Sequence, residues 1–246
     1  MLLPLHGSLG LLGRRYGAVA PNGPFGGHPT LGVGIESYWK LDEASGIRID
    51  SVVASGNNLT DHGVGSAAGV NNLAAKFVKA NSEYLSHADN ASLSTGDIDF
   101  TFTTWVLLNN NNTRMTIIGK DAANGREYEL NFNGTRFEFN LFDGVNTQRG
   151  QRALNNGGLP ATATWYFVMA WHDSVANTIN VQRGDQAAES GATSGAVGDG
   201  NAEFNLGRRS FAGNNNHLDG MMDETGFWKR VLTADERAAL ALGLFY

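Results

Sequence analysis

Apolar and polar residues alternate over several short stretches of this 246-residue chain, and turn-forming residues separate the stretches. Phe100, Phe102, Thr104, Val106 and Leu108 occupy one side of a strand, with Trp105 and Leu107 on the other. That pattern predicts a strand buried on both faces near its end. Trp165, Phe167, Met169 and Trp171 alternate with Tyr166, Val168, Ala170 and His172 in a second central strand. Turn residues at 173–177 then lead to Ile179 and Val181. Asn133-Gly134, a preferred two-residue type I′ turn, predicts a hairpin with Leu130 opposite Phe137 and Tyr128 opposite Phe139. Its other face carries Glu127, Glu129, Asn131, Arg136, Glu138 and Asn140. This register sets Glu129 directly opposite Glu138, an unfavourable pair that Arg136, Arg126 or a ligand would relieve. A last strand is read over 217–228, and a helix over 234–242. Thr233 and Glu236 stand at capping-box spacing before that helix, and Gly243 sits where a C′ residue belongs. About a dozen strands with one helix predict an all-β fold: a two-sheet antiparallel sandwich.

The first 34 residues break the pattern. They hold four of the five prolines and nine glycines, so no regular helix or strand is expected there. Their apolar residues, among them Leu2, Leu5, Leu9, Leu12, Tyr16 and Phe25, have no element in which to bury themselves. We therefore expect an extended N-terminal arm (1–34) whose burial comes from a neighbouring subunit, followed by one domain (35–246). Arg14 and Arg15 follow the leucine-rich run, whereas a secretory signal carries its positive charge before it. No stretch approaches the roughly 18–20 apolar residues of a membrane span, and no membrane partner is expected.

Composition narrows the function. Arg14 and Arg15 are the only charges of the arm, leaving 16 basic and 24 acidic residues, a net of −8, in the body. An acidic body argues against nucleic acid, whose phosphates need clustered Lys and Arg. Cysteine is absent, which removes disulfides and thiolate metal sites. The 32 glycines and recurrent Asn-Asn pairs imply many turns. Three amide-rich loops stand out: 109–113 with Asn111 and Asn112, 121–125 with Asp121, and 213–217 with Asn215 and His217. Amides can read sugar hydroxyls, which makes these residues candidate glycan ligands; unliganded polar loops are equally compatible.

Several pieces, in this order, resemble laminin-G-like domains of the concanavalin A-like jelly rolls: Tyr38-Trp39-Lys40-Leu41-Asp42, Ala75-Lys76-Phe77, Glu83-Tyr84-Leu85, Phe100-Thr101-Phe102-Thr103-Thr104-Trp105, and Met221-Met222-Asp223-Glu224 before the final helix. The resemblance covers residues 35–246 and implies a jelly roll. It also implies calcium as a cofactor, with Asp50 and Asp223 as hard oxygen donors, although both residues suit turn and cap hydrogen bonding equally well. Endoglucanases of this superfamily carry three acids alternating along one strand. Here Glu127-Tyr128-Glu129 lacks the central Asp and the third acid, so no catalytic residue is expected. Because virions often display such jelly rolls, the resemblance points to a non-enzymatic phage virion protein. Capsid decoration or a place on the tail would suit it, with other virion proteins or further copies of itself as partners. The alternative is a secreted, extracellular carbohydrate-binding or adhesion module.

Overall fold

The structure, a computed structural model, describes residues 24–246 apart from 212 and 214. The stretches of alternating residues become antiparallel strands: β1 (Ile35–Trp39), β2 (Thr60–His62), β3 (Gly65–Ala68), β4 (Leu73–Phe77), β5 (Tyr84–His87), β6 (Phe100–Leu108), β7 (Arg114–Lys120), β8 (Tyr128–Asn133) and β9 (Phe137–Phe142). Then come β10 (Gln148–Ala153), β11 (Trp165–Asp173), β12 (Thr178–Arg183), β13 (Glu189–Ala192), β14 (Phe204–Leu206), β15 (Gly220–Trp228) and one helix, α1 (Ala234–Ala241). One sheet has the order β13-β12-β11-β6-β15-β4-β3, with β1 also paired to β15; the other runs β10-β9-β8-β7-β14-β5-β2. The result is the expected two-sheet jelly-roll sandwich. The expected capping box is present at Thr233 and Glu236.

The main core lies between the sheets. Phe100, Phe102, Val106 and Leu108 of β6 meet Tyr128, Leu130, Phe137 and Phe139 of the β8–β9 hairpin. Phe102 stacks on Phe227 with ring centres 4.5 Å apart. His172 is buried and satisfied, with Nδ1 3.0 Å from the Thr178 carbonyl oxygen and Nε2 3.1 Å from Asp97 Oδ1.

The hairpin register differs from expectation by two residues. Leu130 faces Phe139, Phe132 faces Phe137, and the loop is Gly134-Thr135. Asn133 Oδ1 accepts from Thr135 N (3.1 Å) and Arg136 N (3.1 Å), so its amide closes the turn from the position before it. Gly134 supplies the positive φ, +98°. A shift of two preserves the faces, but Glu129 now lies opposite Asn140, and Glu138 opposite Asn131.

A second core covers the outer face of the eight-stranded sheet. Tyr38, Phe167, Met169 and Trp228 pack under Leu232, Leu240, Phe25 and Leu31. Backbone carbonyls of 30–34 are held as well: Trp228 Nε1 donates to Leu31 O (2.7 Å), Arg230 Nη2 to Thr30 O (2.9 Å), and Lys229 N to Gly34 O (2.9 Å). Residues 24–34 therefore belong to the domain, which corrects the boundary at 34/35 and the assignment of Phe25 to a neighbour-binding arm. The cause is that Phe25 and Leu31 find burial without regular structure. The other arm residues, Leu2, Leu5, Leu9, Leu12, Arg14, Arg15 and Tyr16, lie outside the described residues.

Candidate functional site

Since α1 and residues 24–34 cover the outer face of one sheet, the outer face of the seven-stranded sheet is the open one. Alternation along β7, β8 and β9 sends Met115, Leu130 and Phe139 inward and Arg114, Thr116, Glu129, Asn131, Glu138 and Asn140 outward. Glu129 and Glu138 form the buried floor. Arg114 bridges them, with Nη2 2.8 Å from Glu129 Oε2 and Nη1 3.3 Å from Glu138 Oε1. Arg114, and neither Arg136 nor Arg126, thus relieves the acid pair. Thr116 Oγ1 donates to Glu129 Oε1 (2.6 Å). Burial opposes ionisation of Glu138, yet hydrogen bonds from Asn133 and Asn140 and the Arg114 charge outweigh it and hold its carboxyl below the ordinary range.

Above this floor lies a cleft of about 310 Å³ lined by Arg114, Arg126, Asn140, Phe142, Gln148, Gln151 and Arg209. Arg126 reaches in from the turn before β8, forms a two-point pair with Asp121 (2.7 and 3.2 Å), and lies 3.5 Å over the Phe142 ring. Arg209 enters from the segment after β14, with Nε 3.5 Å from Asp121 Oδ2, and lies 4.4 Å over Phe211. Gln148 Nε2 donates to Asn140 Oδ1 (2.8 Å). Further along the same sheet, His62 stacks on Tyr84 at 3.9 Å and Arg208 lies 3.5 Å over the Tyr84 ring.

The residues chosen from sequence scatter around this face. Asp121 anchors both Arg126 and Arg209. Asn215 contributes its backbone carbonyl to Arg209 N (2.9 Å). His217 sits near Tyr84, its ring centre 6.1 Å away, and burial lowers its pKa. Asn111 Nδ2 donates to Pro160 O (3.0 Å), and Asn112 N donates to Asn110 Oδ1 in a turn (2.9 Å). The cleft arginines, Phe142 and the two glutamines were not singled out from sequence. Polar alternation in β8 and β9 signals the floor, but Arg126 and Arg209 come from separate loops that no local pattern links.

The two possible acids of Glu127-Tyr128-Glu129 part company. Glu127 precedes β8, lies 2.7 Å from Lys120 Nζ, and accepts from Thr95 Oγ1 (2.8 Å). Burial raises its pKa against the pull of Lys120. Glu129 belongs to the Arg114 network instead.

The candidate calcium ligands also differ. Asp50 is satisfied by Tyr38 N and Val52 N (both 2.9 Å) and by Ser55 Oγ, as a turn acceptor is. Asp223 and Glu224 sit at a bulge in β15, where Glu224 has φ +48°. Asp223 Oδ2 accepts from Val70 N (2.7 Å) and Asn71 N (3.0 Å), and Glu224 Oε1 from Asn71 Nδ2 (2.7 Å). Asp223 Oδ1 and Glu224 Oε2 are buried with no partner among the described residues. Burial, with Glu224 and Asp42 adding, pushes Asp223 up to about 7. Two orphaned carboxylate oxygens fit a hard cation, although no group of three or more His, Cys, Asp or Glu gathers around one point among the described residues.

A family model, Laminin_G_3 of the concanavalin A-like lectin/glucanases superfamily, matches residues 79–236. The chain belongs to this superfamily. Compared by sequence with curated proteins, this superfamily member matches none. Its fold is similar to the binding domain of Paraclostridial Mosquitocidal Protein 1 (TM-score 0.65, 11% identity, 85% of this chain and 52% of that one). It is also similar to the botulinum neurotoxin serotype G binding domain (0.62, 13%, 85% and 50%). Domain 4 of AbnA, an extracellular arabinanase of Geobacillus stearothermophilus solved with arabinotriose, matches at 0.60 and 16% identity, over 84% of this chain and 98% of that one. The lectin-like chain spans about half the length of the toxin domains. No described helix is long and apolar enough to cross a membrane.

Proposed function

We propose that this domain is a non-catalytic glycan-binding module whose site is the polar cleft on the seven-stranded sheet. One observation carries the reading: the opposite sheet face is sealed by a second core, whereas this one presents amides, guanidinia and aromatic rings around a cavity. The similarity to toxin binding domains and to an arabinotriose-bound domain supports binding over catalysis, as does the separation of Glu127 and Glu129 into different ion-pair networks. Screening on a glycan array, followed by titration calorimetry, tests the proposal. Gln148→Ala and Gln151→Ala should weaken a binding glycan without lowering the thermal midpoint. Undiminished binding by both variants would overturn the assignment of this face.

Calcium at Asp223 and Glu224 is proposed as a structural cofactor. The leucine-rich residues 2–12 favour a second component, anchoring in a larger assembly, for which a virion protein is the proposed case and an extracellular one the alternative. Light scattering on the full chain and on residues 24–246 tests this: loss of an oligomer in the shorter chain supports it, and the same number of copies in both counts against it.

A further inference from the structure

We infer that the cleft selects an anionic saccharide, one bearing carboxylate or sulfate groups, an inference that rests on the glycan-binding reading above. Three guanidinia from three separate parts of the chain converge on one cavity: Arg114 from β7, Arg126 from the turn before β8, and Arg209 after β14. Formally, Asp121, Glu129 and Glu138 offset them, but the two signs stand at different depths. The side chains of Asp121 and Glu129 are 0% exposed and that of Glu138 6%, against 35%, 20% and 9% for Arg114, Arg126 and Arg209. A ligand entering from solvent meets positive charge first.

The pairing geometry leaves donors for it. Arg126 commits Nε and Nη2 to Asp121, and its Nη1 has no hydrogen bond among the described residues. Arg209 approaches Asp121 only through Nε, at 3.5 Å and without a hydrogen bond, so all of its guanidinium donors are unbonded among the described residues. A guanidinium carries five donors in a planar fork, so one edge can hold a buried acid while another meets a ligand oxygen. The buried acids therefore act as struts: they fix the guanidinia in place and lower the entropy lost when a ligand anion is gripped. Gln148 and Gln151 complete the lining with groups suited to hydroxyls, while Phe142, buried beneath Arg126, and Asn140, bonded to Glu138 and Gln148, back the wall behind them. A cavity of about 310 Å³ lies at the small end of ligand pockets, which suits one or two sugar rings.

Calorimetry on the full chain tests this with three probes of matched length: an oligogalacturonate, a heparin-derived oligosaccharide and a neutral arabino-oligosaccharide. At low salt one anionic probe should bind at least about tenfold more tightly than the neutral one, and the preference should shrink as salt rises. Tighter binding of the oligogalacturonate identifies carboxylate as the group read, and tighter binding of the heparin fragment, which carries both groups, shows that sulfate adds to the recognition. Arg209→Gln should erase the preference, and Arg126→Lys should fail to preserve it, because an ammonium lacks the fork. Salt dependence provides the same readout without any substitution, should a variant not fold. Equal or tighter binding of the neutral probe overturns the inference and leaves the glycan-binding site standing. Failure of all three probes, together with no hit on the glycan array, overturns both.

Discussion

Single residues show how strongly the buried charges are tied to their partners. Lys120 and Glu127 are both fully buried, 2.7 Å apart, with Asp89 a further 2.9 Å contact of Lys120. Removing one partner strands the other, so Glu127→Gln should cost about 3–5 kcal/mol in chemical denaturation. The double variant Lys120→Met, Glu127→Leu should recover most of that loss, because the desolvation cost of both charges disappears together. Glu236 is the contrasting case. Burial works against its charge, but Arg230 (2.7 Å to both carboxylate oxygens), Thr30 and the Thr233 amide pull its pKa down to about 2. A carboxyl lower in the folded chain than its ordinary 4.5 stabilises fully above that value. The contribution is lost as pH falls towards about 2, so melting curves of Glu236→Gln should show a flatter acid limb than the wild type. Equal acid limbs would show that Glu236 does not contribute this linkage.

At the level of elements, alternation made the strands readable, because burial between two sheets demands apolar residues at every second position. β6, β11 and the β8–β9 hairpin lie where that pattern placed them. The hairpin register escaped because two turn centres, Asn133-Gly134 and Gly134-Thr135, keep the same faces; only the side-chain bonds of Asn133 choose between them. Residues 24–34 were misread for a different reason. Glycine and proline exclude regular structure, but they do not exclude burial: Phe25 and Leu31 are both fully buried. Phe25 touches Tyr38 and Tyr246 edge to face, at 5.2 and 5.1 Å. Phe25→Ala should therefore lower stability by about 3–5 kcal/mol in urea denaturation, as core truncations do. A segment that served only a neighbour would leave the isolated domain's stability unchanged by this substitution.

Over the whole molecule, the candidate site was legible only in part. Asp121 and Asn215 only hold its arginines from behind, and Arg114, Arg126 and Arg209 are brought together by the fold from positions up to 95 residues apart. No sequence window contains such a site. The acidic pair of β15 was legible, since two adjacent carboxylates in the middle of a buried strand need a reason to be there. If calcium supplies it, adding calcium should raise the thermal midpoint of the apo protein, and a chelator should reverse the rise. Asp223→Asn should abolish the calcium response. A midpoint indifferent to calcium in the wild type would leave Asp223 and Glu224 held by the Val70 and Asn71 donors without a metal.

The second core has one more consequence, for orientation. Phe25 and Tyr246 meet on the outer surface of the eight-stranded sheet, so both ends of the described chain leave from the side opposite the cleft. Anything joined directly at residue 24 or after residue 246 holds the module by its back. A sensor surface coupled through either end should therefore leave the cleft facing the solution, whereas coupling through the cleft's own side should silence it.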